Sequence, residues 1–201
     1  MVGMAVAEVG LPFGRALTRE DLDAMPDDGH RHELVDGVLV VTPAPSWQHQ
    51  AALGGLFQVL AAACPPELRV LFAPLDVVLS ADTVVEPDLL VARRTDFGKR
   101  DLPVAPLLAV EILSPSTRRY DLTLKRSRYE AAGCRSYWVV DPDEPSVTAW
   151  ELSPRPDRGV RGVVPPGDDR AYVLAGEARG DESLTLALPY EVTIVPARLL
   201  D

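Results

Sequence analysis

Residues 107–140, LLAVEILSPSTRRYDLTLKRSRYEAAGCRSYWVV, decide the fold. The run LLAVEIL at 107–113 is apolar on both parities, the pattern of a strand covered on both faces. DLTLKRSRYEAA at 121–132 reads as a helix, and Gly133 is placed to end it in the left-handed conformation that favours glycine. SYWVV at 136–140 returns as a strand. Strand, helix, strand in one continuous segment makes a helical crossover on a β-sheet.

Working outward, Asp141-Pro142-Asp143 turns the chain into SVTAWEL, 146–152, as a hairpin partner. Upstream, RVLFAPLDVVL at 69–79 and VVEPDLLVA at 84–92 read as two strands joined at Ser80-Ala81-Asp82. Pro87 inside the second marks a strand start, edge or bend, because proline cannot donate to a ladder. Ser46 caps a helix running to Cys64, with Leu53, Leu56, Phe57 and Leu60 on one face. HELVDGVLVVT at 32–42 is a hairpin about Asp36-Gly37, and LTREDLDAM at 17–25 a short helix with Thr18 and Asp21 as a capping box. Residues 171–175 and 183–188 suggest a further small hairpin, and Pro154–Gly167 a loop. The expected architecture is α/β (α+β), a mixed sheet flanked by helices, with hairpins at both ends. Residues 1–16 are expected to be a flexible N-terminus and 17–201 a single domain.

Charge placement is the functional signal. Glu111 interrupts an apolar strand, and an unpaired buried carboxylate costs several kcal/mol or more. Asp88 opens the strand after Pro87, and Glu33 lies in another apolar strand. Each has a plain structural reading: Glu111 on a solvent face or paired with arginine, Asp88 a turn residue, Glu33 a surface or pairing residue. Together they form an ordered series: Pro-Asp, then Glu on the next strand, then Lys125 early on the following helix. Lysine occurs only at 99 and 125, arginine supplying the other basic residues, so Lys125 invites a role arginine does not fill. A hard divalent ion satisfies two such carboxylates at once.

The segments VEPDLLVA, VEILSPSTRRYDLTLKRSRYEAAGCRSYWVVDP and HELVDGVLVVTPAPSWQHQ resemble the Uma-type family of restriction endonucleases, in the PD-(D/E)XK superfamily. The resemblance covers about Leu17 to Leu152. It implies a restriction-endonuclease-like core and a magnesium-dependent phosphodiesterase site, manganese being the other candidate ion. Asp88 matches the Asp of the PD step and Glu111 the acid of the next strand, with the Ile112 carbonyl as a third metal ligand. The lysine two residues on is absent, since Leu113 stands there, and the resemblance supplies it from the next helix as Lys125. Glu33 matches the acid of the Glu-Leu-x-Asp-Gly segment, and His49 the histidine opening the next helix. Arg118, Arg119 and Tyr129 are candidate substrate contacts; the two arginines equally suit neutralising acids such as Asp121.

The chain of 201 residues carries a net charge of −10, which opposes tight nonspecific nucleic-acid binding without excluding a local basic patch. That charge and the Leu113 departure favour a second reading, a catalytically idle nuclease fold that binds without cutting. A third is a structural domain whose buried acids pair with arginine. His30, His32 and His49 are too scattered to argue for zinc. Cys64 and Cys134 suit free thiols, a disulfide being the alternative. The N-terminus lacks a basic, then apolar, leader pattern and no run approaches membrane-spanning length, so a cytoplasmic protein is expected. DNA is the expected substrate. A homodimer is expected to cover Val147, Trp150, Leu184 and Leu186.

Overall fold

The computed structural model describes residues 14–26, 29–154 and 170–201. Helix α1 (Arg19–Asp23) is capped as expected, the Asp21 carboxylate accepting from the Thr18 N–H at 2.7 Å. Strands β1 (Arg31–Val35) and β2 (Val38–Thr42) form the hairpin about Asp36-Gly37, both residues having positive φ (52° and 73°). A mirror-image two-residue turn requires that backbone, and it matches the twist of the flanking strands. Helix α2 (Trp47–Ala63) starts at Ser46, whose hydroxyl accepts from the His49 N–H at 3.2 Å.

The two apolar runs that follow each divide in two. In place of one strand over 69–79 there are β3 (Leu68–Phe72) and β4 (Asp76–Ser80), separated at Pro74. In place of one over 84–92 there are β5 (Thr83–Val85) and β6 (Leu89–Arg93), separated at Pro87. At each proline the chain crosses between sheets, because a residue without an N–H cannot hold a central ladder position. Strands β7 (Asp101–Leu102) and β8 (Leu108–Ile112) come next, followed by α3 (Arg118–Tyr120), a π-helical turn (Asp121–Lys125) and α4 (Arg126–Ala131). Strands β9 (Ser136–Asp141), β10 (Ser146–Pro154), β11 (Arg170–Arg179), β12 (Leu184–Leu186) and β13 (Val192–Ile194) complete the order.

The central sheet runs β11-β10-β9-β8-β6-β3, and the second sheet β2-β1-β5-β4-β7. Within the central sheet β8 and β9 are parallel, as the helical crossover demands, and the other pairs antiparallel. Alternate residues divide its two faces. Leu89, Val91, Leu108, Val110, Ile112, Trp138 and Val140 join Leu56 and Leu60 of α2 in one core. Leu90, Ala92, Ala109, Leu113, Tyr137 and Val139 join Val35, Val77 and Val85 of the second sheet, and Tyr129 of α4, in the other. Both faces are covered, so the central strands read as continuous apolar runs.

The C-terminal expectations need correcting. Residues 171–175 lie in β11, which pairs with β10, while 184–186 pair with 192–194. Val147 and Leu186 are buried, and Trp150 and Leu184 pack against the two cores. Of the four residues expected at a homodimer surface, two are thus buried and two partly buried within one chain. The cysteines are free thiols. Most of the expected 1–16 segment and 154–167 loop lies outside the described residues. Among the described residues no helix is long and apolar enough to cross a membrane.

Candidate active site

The chain passes from the second sheet to the central one through Glu86-Pro87-Asp88, and the acidic residues collect at that junction. Leu34 pairs with Val84 across β1 and β5, which brings Glu33 beside the end of β5. There Glu33 Oε1 accepts the Glu86 N–H at 2.7 Å. On the other side, β6 and β8 pair Leu89 with Val110. One further step in that antiparallel register sets Asp88 opposite Glu111. Directly opposed residues point to the same face, here the one that carries Ala109 and Leu113.

Lys125 reaches this point from the π-helical turn. Its Nζ lies 2.8 Å from Glu33 Oε1, 3.2 Å from Glu111 Oε1 and 3.8 Å from Asp121 Oδ1. The Tyr137 hydroxyl anchors the turn, donating to the Asp121 carbonyl at 2.9 Å. π-Turns are rare and recur at functional sites. This one leaves both Asp121 and Lys125 buried against the sheet. Asp88 is held separately: Oδ2 accepts from the Ile112 N–H at 2.8 Å and meets His49 Nε2 at 3.1 Å, while Oδ1 accepts from Arg31 Nη1 at 3.0 Å. Arg31 also approaches the Glu86 carboxylate (3.3 Å) and donates to the Glu86 carbonyl.

Five carboxyl groups (Glu33, Glu86, Asp88, Glu111, Asp121) thus surround two permanent cations, Arg31 and Lys125, and all five are buried. Burial outweighs the Lys125 charge at Glu111 and pushes that carboxyl well above the usual range. Burial likewise raises Glu86 to about 7 and Asp121 to about 6. Asp88 goes the other way: despite its burial, His49, Arg31 and the Ile112 N–H hold it down to about 2. Lys125 is raised because its three carboxylate neighbours outweigh desolvation.

A cavity of about 980 Å³ opens onto this cluster, with Asp88, Glu111, Ile112, Asp121, Lys125 and His49 in its wall. Among the described residues no group of three or more His, Cys, Asp or Glu side chains is arranged to hold a metal ion. The donor chemistry present is smaller, the two opposed carboxylates of Asp88 and Glu111. That set suits magnesium, which keeps several waters and takes one or two carboxylates. The surplus of carboxyl over cationic groups makes the same point electrostatically.

The structure brings together Asp88, Glu111, Lys125, Glu33, Ile112 and His49. It does not bring in the others. Tyr129 is fully buried, its hydroxyl donating to Glu111 Oε1 at 3.4 Å, so it steadies that carboxylate and is closed to substrate. Arg118 pairs with Asp141, not Asp121, and Arg119 is exposed on α3. Sequence reasoning missed Arg31, Glu86 and Asp121 as members. Their signals were Arg31 two residues before Glu33 on one strand face, Glu86 two before Asp88, and Asp121 four before Lys125.

A family model described as "Uma2: Putative restriction endonuclease" matches residues 19–173. Among solved structures, the chain is similar to "a putative nuclease belonging to DUF820 from Anabaena variabilis". Identity is 18% and the TM-score 0.65, covering 92% of this chain and 97% of the other. That likeness shows a shared fold. No curated protein matches.

Proposed function

Because the chain belongs to the Uma2 family of restriction-endonuclease-like proteins, we propose that it is a metal-dependent endonuclease that hydrolyses phosphodiester bonds of DNA at the Asp88–Glu111 cluster. The observation that carries this reading is the opposed pair of buried carboxylates with one buried amine beside them, at the floor of an open cavity. Asp88, Glu111 and the Ile112 carbonyl would hold one magnesium or manganese ion. Such an ion supplies Lewis acidity toward a phosphoryl oxygen and lowers the pKa of bound water.

The chain's own groups prepare that chemistry. Glu33 and Asp121 fix the Lys125 amine and keep it charged, so it offsets negative charge growing on the phosphate and orients a water. Tyr129 holds the Glu111 carboxylate in place. His49 and the Ile112 N–H orient Asp88. Arg31 neutralises Asp88 and would turn toward phosphate once a divalent ion takes over that task.

The arginine on Asp88 also favours the second reading, an inactive fold whose acids are structurally paired. One assay separates them: purified protein with plasmid, linear duplex, single-stranded DNA and RNA, in magnesium, manganese or EDTA. DNA cleavage that needs the ion and is lost in Glu111→Gln supports the enzyme. Absence of cleavage under every condition supports the binding module.

A further inference from the structure

Beside the acidic cluster lies a second cavity of about 630 Å³, whose wall has Arg31, His49 and Asp88 among the six residues it shares with the first. Its further lining includes Leu53, Phe57 and Phe72, Gln50 and Gly54 of α2, and Glu86. Phe57 and Phe72 meet edge to face, ring centroids 5.2 Å apart, yet Phe72 remains 51% exposed. A large aromatic side chain left open beside a cluster of charged groups has a face available for stacking.

Gly54 is the second observation. Glycine is among the poorest helix formers, and two occur side by side within α2. Gly55 has a packing reason, since a Cβ there would come within 2.5 Å of the Leu199 carbonyl oxygen. Gly54 has none, because its Cβ would meet no atom within 4 Å. The absent side chain leaves space in the cavity.

We infer that this cavity takes one unstacked nucleobase of the DNA strand being cut, its ring on Phe72, its edge toward Gln50, and its phosphate at the Asp88–Glu111 cluster. The inference rests on the nuclease reading for the identity of its occupant. Aromatic wall, missing side chain and shared boundary with the phosphate-facing cluster each suit a flat heterocycle on a charged backbone, and the cavity is large enough to admit one.

The test uses full-length protein in the Glu111→Gln background, which blocks cutting, and a fluorescent single-stranded deoxyoligonucleotide, either complete or carrying one abasic position. Adding Gly54→Leu, which projects into the cavity, or Phe72→Ala, which removes the stacking face, is expected to weaken binding of the complete oligonucleotide about tenfold. The abasic oligonucleotide is expected to bind all three proteins alike. Gly54→Leu projects into open space, and should it fail to fold, Phe72→Ala carries the test alone. Equal affinities throughout, with the parent protein still cutting DNA, overturn the base pocket and spare the nuclease. Base-dependent binding with a parent that cuts nothing supports the pocket and overturns the nuclease. Binding of no oligonucleotide overturns the pocket too.

Discussion

Replacing Glu111 by glutamine separates a functional carboxylate from a structural ion pair. Lys125 lies closer to Glu33 (2.8 Å) than to Glu111 (3.2 Å), and Glu111 is pushed well above the usual carboxylate range by burial. In the metal-free protein burial thus favours the protonated carboxyl at Glu111, of which glutamine is a near isostere. The expected change in metal-free stability is within about 1 kcal/mol. A buried ion pair held for stability alone would instead lose about 3–5 kcal/mol when broken, a fall in Tm of roughly 6–20 °C for a domain of this size. The assay is urea unfolding at pH 7.5, in EDTA and in magnesium. Parent protein should gain about 2.7 kcal/mol when magnesium reaches one hundred times its Kd, and Glu111→Gln should gain almost nothing. A metal-free loss of 3 kcal/mol or more, with the magnesium gain intact, would refute the reasoning.

Lys125→Met should lower stability by about 3–5 kcal/mol, because Glu33 keeps a buried carboxylate with no amine to meet it; an unfolding midpoint within error of the parent would contradict this. Arg31→Met should raise the Asp88 pKa from about 2 and tighten divalent-ion binding, since it removes a competing cation; calorimetric titration showing weaker binding would oppose it. In the metal-free protein, raised carboxyl pKa values at Glu86 (about 7) and Asp121 (about 6) mean the folded state holds protons that the unfolded state has released. Stability should thus fall as pH rises from about 4 to 7, with Asp121 accounting for at most about 3 kcal/mol. Asp121→Asn should flatten that slope, as measured by unfolding across the range. Asp88 adds stability above about pH 4 that disappears as pH falls through about 2.

Local chemistry was readable where one residue type settles a backbone choice. Ser46 and Thr18 marked helix starts, Asp36-Gly37 a hairpin turn, and 107–113, apolar but for Glu111, a doubly covered strand. Asp88, Glu111 and Lys125 stood out because charge within an apolar context is costly wherever it occurs. What stayed hidden depends on distance. Nothing local says that the strands broken by Pro74 and Pro87 continue in different sheets, yet that crossing carries Glu86 and Asp88 to Glu33. Arg31 and Asp121 look like ordinary surface charges until tertiary packing buries their partners. The hydrogen bond that anchors the π-helical turn comes from Tyr137, sixteen residues away in sequence. Tyr129, four residues after Lys125, shares the inward face with Asp121 and Lys125.

The central claim is that Asp88 and Glu111 jointly hold a divalent ion. Crystals soaked in manganese and measured at its absorption edge test it without any appeal to activity. The account expects one anomalous peak about 2.2 Å from a carboxylate oxygen of each residue, with the Arg31 guanidinium displaced from Asp88. A featureless map there, with Arg31 still paired to Asp88 at saturating manganese, would contradict it.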